Sequence, residues 1–122
     1  MESLFVMAQV APTEYPKDNL EKADSLVKEA AEKYHPGMII FPETFMSRFP
    51  AGTDIATANA VAEPLDGEFV QGMKKLAADH DVWLTFGMKE TIEDPADHRC
   101  YNTVVMVNTG RNRTDLQKNA FI

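Results

Sequence analysis

The 122-residue sequence contains a single cysteine, Cys100, so no disulfide can form within it, and a reduced, cytoplasmic setting is the expectation. Cations are also scarce: 12 Lys and Arg stand against 19 Asp and Glu, a formal charge of −7. A phosphate-binding surface needs a local excess of positive charge, so nucleic acid is not an expected partner. No apolar run approaches the roughly 20 residues of a membrane-spanning helix, and no membrane association is expected. The opening Met1 to Met7 has neither the basic leader nor the long apolar stretch of a secretory signal. The six glycines are scattered, which excludes a glycine-rich phosphate loop. His35, His80 and His98 lack the short spacings of zinc motifs, so neither a metal nor a cofactor is expected. What remains is a chain of 44% hydrophobic residues, long enough for one small domain and too short for two cores.

The hydrophobic pattern predicts alternating strands and helices. Leu4 to Val10 is a short apolar run broken by Pro12, as in a buried strand. From about Asp18, Leu20, Ala23, Val27, Ala30 and Tyr34 recur at helical spacing until His35-Pro36-Gly37 ends the run. Met38 to Phe41 is continuously apolar and stops at Pro42, the signature of a strand buried on both faces. Glu43 to Pro64 is weakly periodic and reads as a long functional loop with about one helical turn. A second helix is expected from Gly67 to His80, then a strand from Val82 to Phe86 ending at Gly87. Thr91 to Arg99 is a polar excursion; Tyr101 to Val107 is a strand, and Asn108-Thr109-Gly110 turns into a weaker strand ending near Lys118. The order β, α, β, loop, α, β, β, β implies an α/β sheet with parallel pairs and a terminal hairpin.

Three residues invite chemical readings. Glu43 follows a buried strand, and ligands in open α/β sheets gather at the carboxyl ends of strands. Phe45, Met46 and Phe49 would wall it, and the resulting partial desolvation would suit a general base; the alternative is a solvated loop glutamate. Lys118 sits at a strand end, where it either stabilises an oxyanion or is simply solvated, and pattern alone favours the latter. Cys100 precedes an apolar strand, which fits a small buried hydrophobe better than an activated thiol.

Taken in order, Val6-Met7-Ala8-Gln9, Asn19-Leu20, Phe41-Pro42-Glu43, Leu65-Asp66-Gly67, Gly87, Tyr101-Asn102-Thr103, Gly110 and Lys118 resemble the nitrilase superfamily of carbon–nitrogen hydrolases. The resemblance implies an α/β fold, part of an α-β-β-α sandwich, with a mixed sheet and helices on one face. It implies hydrolysis of non-peptide C–N bonds in nitriles, amides or carbamoyl groups by a Glu-Lys-Cys triad. Glu43 would be the base and Lys118 the oxyanion stabiliser. Cys100 lies upstream of Lys118, the wrong order for the nucleophile, and Asn119 to Ile122 departs from the His-containing segment usual after that lysine. The expectation is therefore an incomplete domain over residues 1–122, lacking the nucleophile and unstable without the rest of its domain or another chain. Phe45, Arg48 and Phe49 are the candidate substrate-lining residues; Arg48 is either a carboxylate anchor or an isolated surface arginine, and pattern favours the latter, while a homodimer is expected by resemblance alone. Two other readings stay open: an inactive binding or assembly module (or relic) of the same fold, and a flavodoxin-like doubly wound domain.

Overall fold

The computed structural model describes residues 4–94, 96–108 and the backbone of 116–121. Five strands form one mixed sheet in chain order: β1 (Phe5–Met7), β2 (Met38–Ile40), β3 (Trp83–Thr91), β4 (Cys100–Val107) and β5 (Leu116–Phe121). β1, β2 and β3 run parallel, and β3, β4 and β5 are antiparallel. The helices are α1 (Pro16–Tyr34), the short α2 (Ile55–Asn59) and α3 (Glu68–His80). The expected element order holds.

Helix α1 begins two residues before the expected start. Pro16 occupies its first turn, where the missing N–H costs nothing and the fixed φ already suits a helix. Asn19, Ala23, Val27 and Ala30 form its buried stripe. His35, rather than Gly37, takes the left-handed exit, with φ 47° and its N–H donated to the Ala31 carbonyl. Asp81 ends α3 in the same way at φ 52°; His and Asp are among the non-glycine residues that tolerate this region best. The two helices pack tightly: a Cβ at Gly72 would lie 2.5 Å from Leu20 Cδ2.

Both helices share one hydrophobic cluster with Ile39, Leu84, Phe86, Val105 and Val107 from the sheet. A run of rings links the layers, with centroids 4.5 Å apart for Phe41–Phe45, 6.2 Å for Phe45–Phe69 and 5.6 Å for Phe69–Phe86. The alternate positions of edge strand β1, Phe5 and Met7, are 61% and 73% exposed. β3 runs on through Gly87 to Thr91, longer than expected, because Met88 and Glu90 are also buried and β4 pairs with it along its length. Glu90 accepts a 2.8 Å hydrogen bond from Thr103 Oγ1, so its carboxylate enters the sheet with a partner. Among the described residues, no helix is long and apolar enough to cross a membrane.

Candidate active site

The site is built on the turn that leaves β2. Phe41 N–H donates to the Thr85 carbonyl (2.9 Å), Gly87 N–H to the Pro42 carbonyl (3.3 Å) and Met46 N–H to the Gly87 carbonyl (3.1 Å). Residues 42–46 are thereby fastened across β3, with Phe45 N–H closing the turn onto the Pro42 carbonyl at 3.1 Å. Gly87 makes this possible. A Cβ there would lie 1.2 Å from the Glu43 carbonyl oxygen, so no other residue fits beneath the turn.

A second set of bonds holds the turn from the other side. Asn19, wholly buried, donates from Nδ2 to the carbonyls of Met46 (2.9 Å) and Thr13 (2.8 Å), while its Oδ1 accepts from Thr13 N–H (2.8 Å). Ser47 Oγ donates to the Glu14 carbonyl (2.6 Å), and Arg48 N–H donates to the Thr13 carbonyl (2.9 Å). The segment after β1 and the segment after β2 are thus zipped together at the carboxyl ends of two parallel strands.

Glu43 opens into a cavity of about 210 Å³ lined also by Thr44, Met46, Ser47, Met88, Lys89 and Asn102. Glu43 itself is exposed, in contrast to the expected partial desolvation. The reason is that Phe45 and Met46 turn inward and are fully buried. Phe45 packs between Phe41 and Phe69 as part of the core, which corrects its expected role in lining the substrate site. Arg48 is exposed and lies outside the cavity lining, its backbone engaged with Thr13. Phe49 is half-buried and also outside the lining, but its ring sits 5.0 Å from Lys89 Nζ.

Lys118 lies on β5, where its backbone pairs with Val105, which in turn pairs with Phe86, the neighbour of Gly87. Two inter-strand steps separate Lys118 and Phe86, on the order of 10 Å between backbones. The Lys118 side chain, and Gly110, lie outside the described residues.

Of the cavity's lining residues, Thr44, Ser47, Met88, Lys89 and Asn102 are not singled out as site residues by the sequence, and the last two lie on paired strands. Lys89 is two residues beyond Gly87, so strand alternation places it on the same face, and Asn102 pairs directly with Lys89. Lys89 Nζ donates to the Ala58 carbonyl at 2.7 Å, and burial holds its ammonium pKa below the ordinary lysine value. Cys100 lines a different cavity, with Ile55, Asn59, Ile92, Arg99, Tyr101 and Asn102. Burial raises its thiol pKa, and the Lys89 ammonium offsets this in part. A larger cavity, about 460 Å³, lies among Pro16, Lys17, Leu20, Val61, Glu63, Glu68 and Phe69 and contains none of the predicted site residues. Among the described residues, no group of three or more His, Cys, Asp or Glu side chains is gathered as metal ligands would be.

Comparison with known proteins agrees with this architecture. The chain is 34% identical over 70 residues to an (R)-stereoselective amidase from a Pseudomonas species, covering 57% of this chain and 23% of that one. Its fold matches a CN-hydrolase superfamily protein from Xanthomonas campestris that carries an arsenic adduct in its active site. The TM-score is 0.75 at 22% identity, over 98% of this chain and 41% of the other. It also matches a glutamate-to-glutamine mutant of the amidase from Nesterenkonia sp. AN1, in which acrylamide has undergone Michael addition at the active-site cysteine. There the TM-score is 0.66 at 16% identity, over 88% of this chain and 40% of that one. The chain thus spans less than half the length of each of these relatives. The carbon-nitrogen hydrolase family pattern matches residues 6–119, nearly the whole sequence, and the chain belongs to that family.

Proposed function

We propose that this chain carries the base and the oxyanion-stabilising cation of a cysteine-dependent hydrolase of small amides. The observation that carries the reading is the mounting of Glu43. It stands at the carboxyl end of a parallel strand, fixed by backbone hydrogen bonds across β3 and by the close approach to Gly87, and it faces a cavity. A carboxylate carried on a fixed turn at the carboxyl end of a strand is suited to general-base catalysis.

In this reaction a thiol attacks the amide carbonyl carbon while its proton passes to the Glu43 carboxylate. The negative oxygen of the tetrahedral intermediate is stabilised by the Lys118 ammonium and backbone donors. As the C–N bond breaks, Glu43 returns the proton to the leaving amine, and a thioester remains. Water then attacks the thioester with Glu43 again as base, releasing the carboxylic acid and restoring the thiol. Cys100 does not fit the nucleophile's part: it lines another cavity, and its raised thiol pKa keeps it protonated. The nucleophile in this reading is a cysteine outside these residues, as the cysteine adduct of the Nesterenkonia amidase suggests by analogy. The amidase from Pseudomonas supports amides as the substrate class.

The test is Glu43→Gln in the complete natural protein, assayed on a panel of small primary amides. Turnover falls by about 10²- to 10⁴-fold while the circular dichroism spectrum stays that of the wild type, because the exposed side chain contributes little to packing. Undiminished turnover would overturn the assignment.

A further inference from the structure

The segment between Glu43 and α3 carries a helix with no core beneath it. None of the five residues of α2 is buried, and Ile55 is 62% exposed. The helix is held together from within: Asp54 Oδ2 accepts from Thr57 N–H (3.0 Å), and Thr57 Oγ1 donates to Asp54 Oδ1 (2.8 Å). Among the described residues, two hydrogen bonds tie it to the rest of the fold. Lys89 Nζ donates to the Ala58 carbonyl (2.7 Å), and Asn59 Nδ2 donates to the His98 carbonyl (2.9 Å). An element with so little buried apolar surface opens far more easily than the core.

The two ends of this segment differ. Gly52, just before it, stands at φ +92° with nothing within 4 Å of where a Cβ would be, a backbone state that glycine takes without strain. After it, Glu63 N–H donates to the Lys89 carbonyl and Thr91 N–H to the Glu63 carbonyl, both at 3.0 Å, which clamps the chain onto β3. Residues 53–61 thus form a strap with a hinge at one end, a clamp at the other and two latches between.

The strap spans open space. Ile55 and Asn59 border the cavity of about 360 Å³ that contains Cys100, and Asn59 and Ala60 border another of about 430 Å³ beside His98. The first of these adjoins the Glu43 cavity, since Asn102 lines both, and Lys89, whose ammonium holds the strap, is also a lining residue of the Glu43 cavity. At about 210 Å³ the Glu43 cavity alone suits only a compact ligand; joined to its neighbour it more than doubles in volume.

Resting on the assignment of Glu43 as base, we propose that the strap of residues 53–61 is a movable wall of the candidate active site. Latched, it closes the Cys100 cavity off from Glu43 and restricts turnover to compact amides. Released, it admits bulkier acyl groups.

The experiment uses two variants of the complete natural protein, both outside the lining of the Glu43 cavity. Asn59→Leu removes the donor to the His98 carbonyl at similar volume, and Gly52→Ala strains the hinge at a place where a methyl group has room. The first readout is the plateau rate of Cys100 alkylation by iodoacetamide above the thiol's pKa, followed on its peptide by mass spectrometry. That rate reports access beneath the strap and rises at least fivefold in both variants. The second is the ratio of kcat/KM for phenylacetamide to that for propionamide, which also rises at least fivefold in both. Should Asn59→Leu fail to fold, Gly52→Ala gives the same two readouts. Alkylation at the wild-type rate means that the strap is not held by these features, and faster alkylation with an unchanged amide ratio means that it covers Cys100 alone; either result overturns the inference. If Glu43→Gln keeps wild-type turnover while both strap variants still raise the ratio, the base assignment fails and the movable wall stands.

Discussion

The Cα of Gly87 lies directly beneath the backbone of Glu43, so near that a methyl group at 87 would fall 1.2 Å from the Glu43 carbonyl oxygen and 2.1 Å from its carbonyl carbon. Both partners are backbone, so neither can swing aside. Gly87→Ala must push the turn off β3 and break the bonds from Gly87 N–H to Pro42 and from Met46 N–H to Gly87. The expected loss of stability is about 3 kcal/mol or more, at the upper end for overpacking a rigid site, measured by denaturant unfolding. Activity falls further than stability, since the displaced residue is the proposed base. A Gly87→Ala protein with wild-type stability would show that the turn is free to lift.

Asn19 bridges the other side of that turn. Its amide makes four hydrogen bonds, three to Thr13 and one to the Met46 carbonyl, at a residue with no exposure to solvent. Asn19→Leu, similar in volume, leaves the Thr13 N–H and the Met46 carbonyl without that partner. The cost is about 2–3 kcal/mol, the penalty for orphaned buried polar groups. Asn19→Asp keeps the acceptor and loses the donor, so it is destabilised as well and recovers part of the loss as pH falls and the carboxyl protonates. Equal stability of Asn19→Leu and wild type would mean that the two loops are joined by other contacts.

The strands and long helices were legible because their apolar residues repeat at two or at three to four positions, and that period follows from which face is buried. Ile39, Val27 and Met73 are core residues in the sequence pattern and in the structure. Motif order also located Glu43 at a strand end. Pattern could not tell Phe45 from Phe49: both follow the motif glutamate in an aperiodic stretch, but only Phe45 meets the ring of Phe69 on α3, a contact distant in sequence that local spacing does not encode. Phe45 is therefore core, and Phe49 is a prop for Lys89. Lys89 itself was hidden because the strand was expected to end at Gly87. Its partner Asn102 is brought alongside by antiparallel pairing of β3 with β4, a non-local relationship that local spacing does not encode.

Phe45→Ala tests the correction. With its ring fully buried against Phe41 and Phe69, truncation costs about 3–5 kcal/mol. Phe45→Leu, which refills most of the volume, costs less than half of that. If Phe45 lined the substrate cavity instead, alanine would alter KM and leave the unfolding midpoint where it was.

Cys100 and Lys89 supply a pH-dependent test. Burial raises the Cys100 thiol above its ordinary value, and the nearby Lys89 ammonium, itself lowered by burial, opposes that rise. A raised thiol pKa means fewer thiolates in the folded than in the unfolded chain. This contribution to stability is therefore intact below the unfolded thiol's pKa and is lost as pH climbs through the folded value. The rate of alkylation by iodoacetamide in the native protein follows the thiolate, so it stays low at neutral pH and rises only in the alkaline range. Lys89→Met removes the cation that favours the thiolate, and its alkylation profile moves to still higher pH. A profile that is unchanged by Lys89→Met, or that moves to lower pH, would show that the two side chains are not electrostatically coupled and that the Lys89 ammonium points away from Cys100.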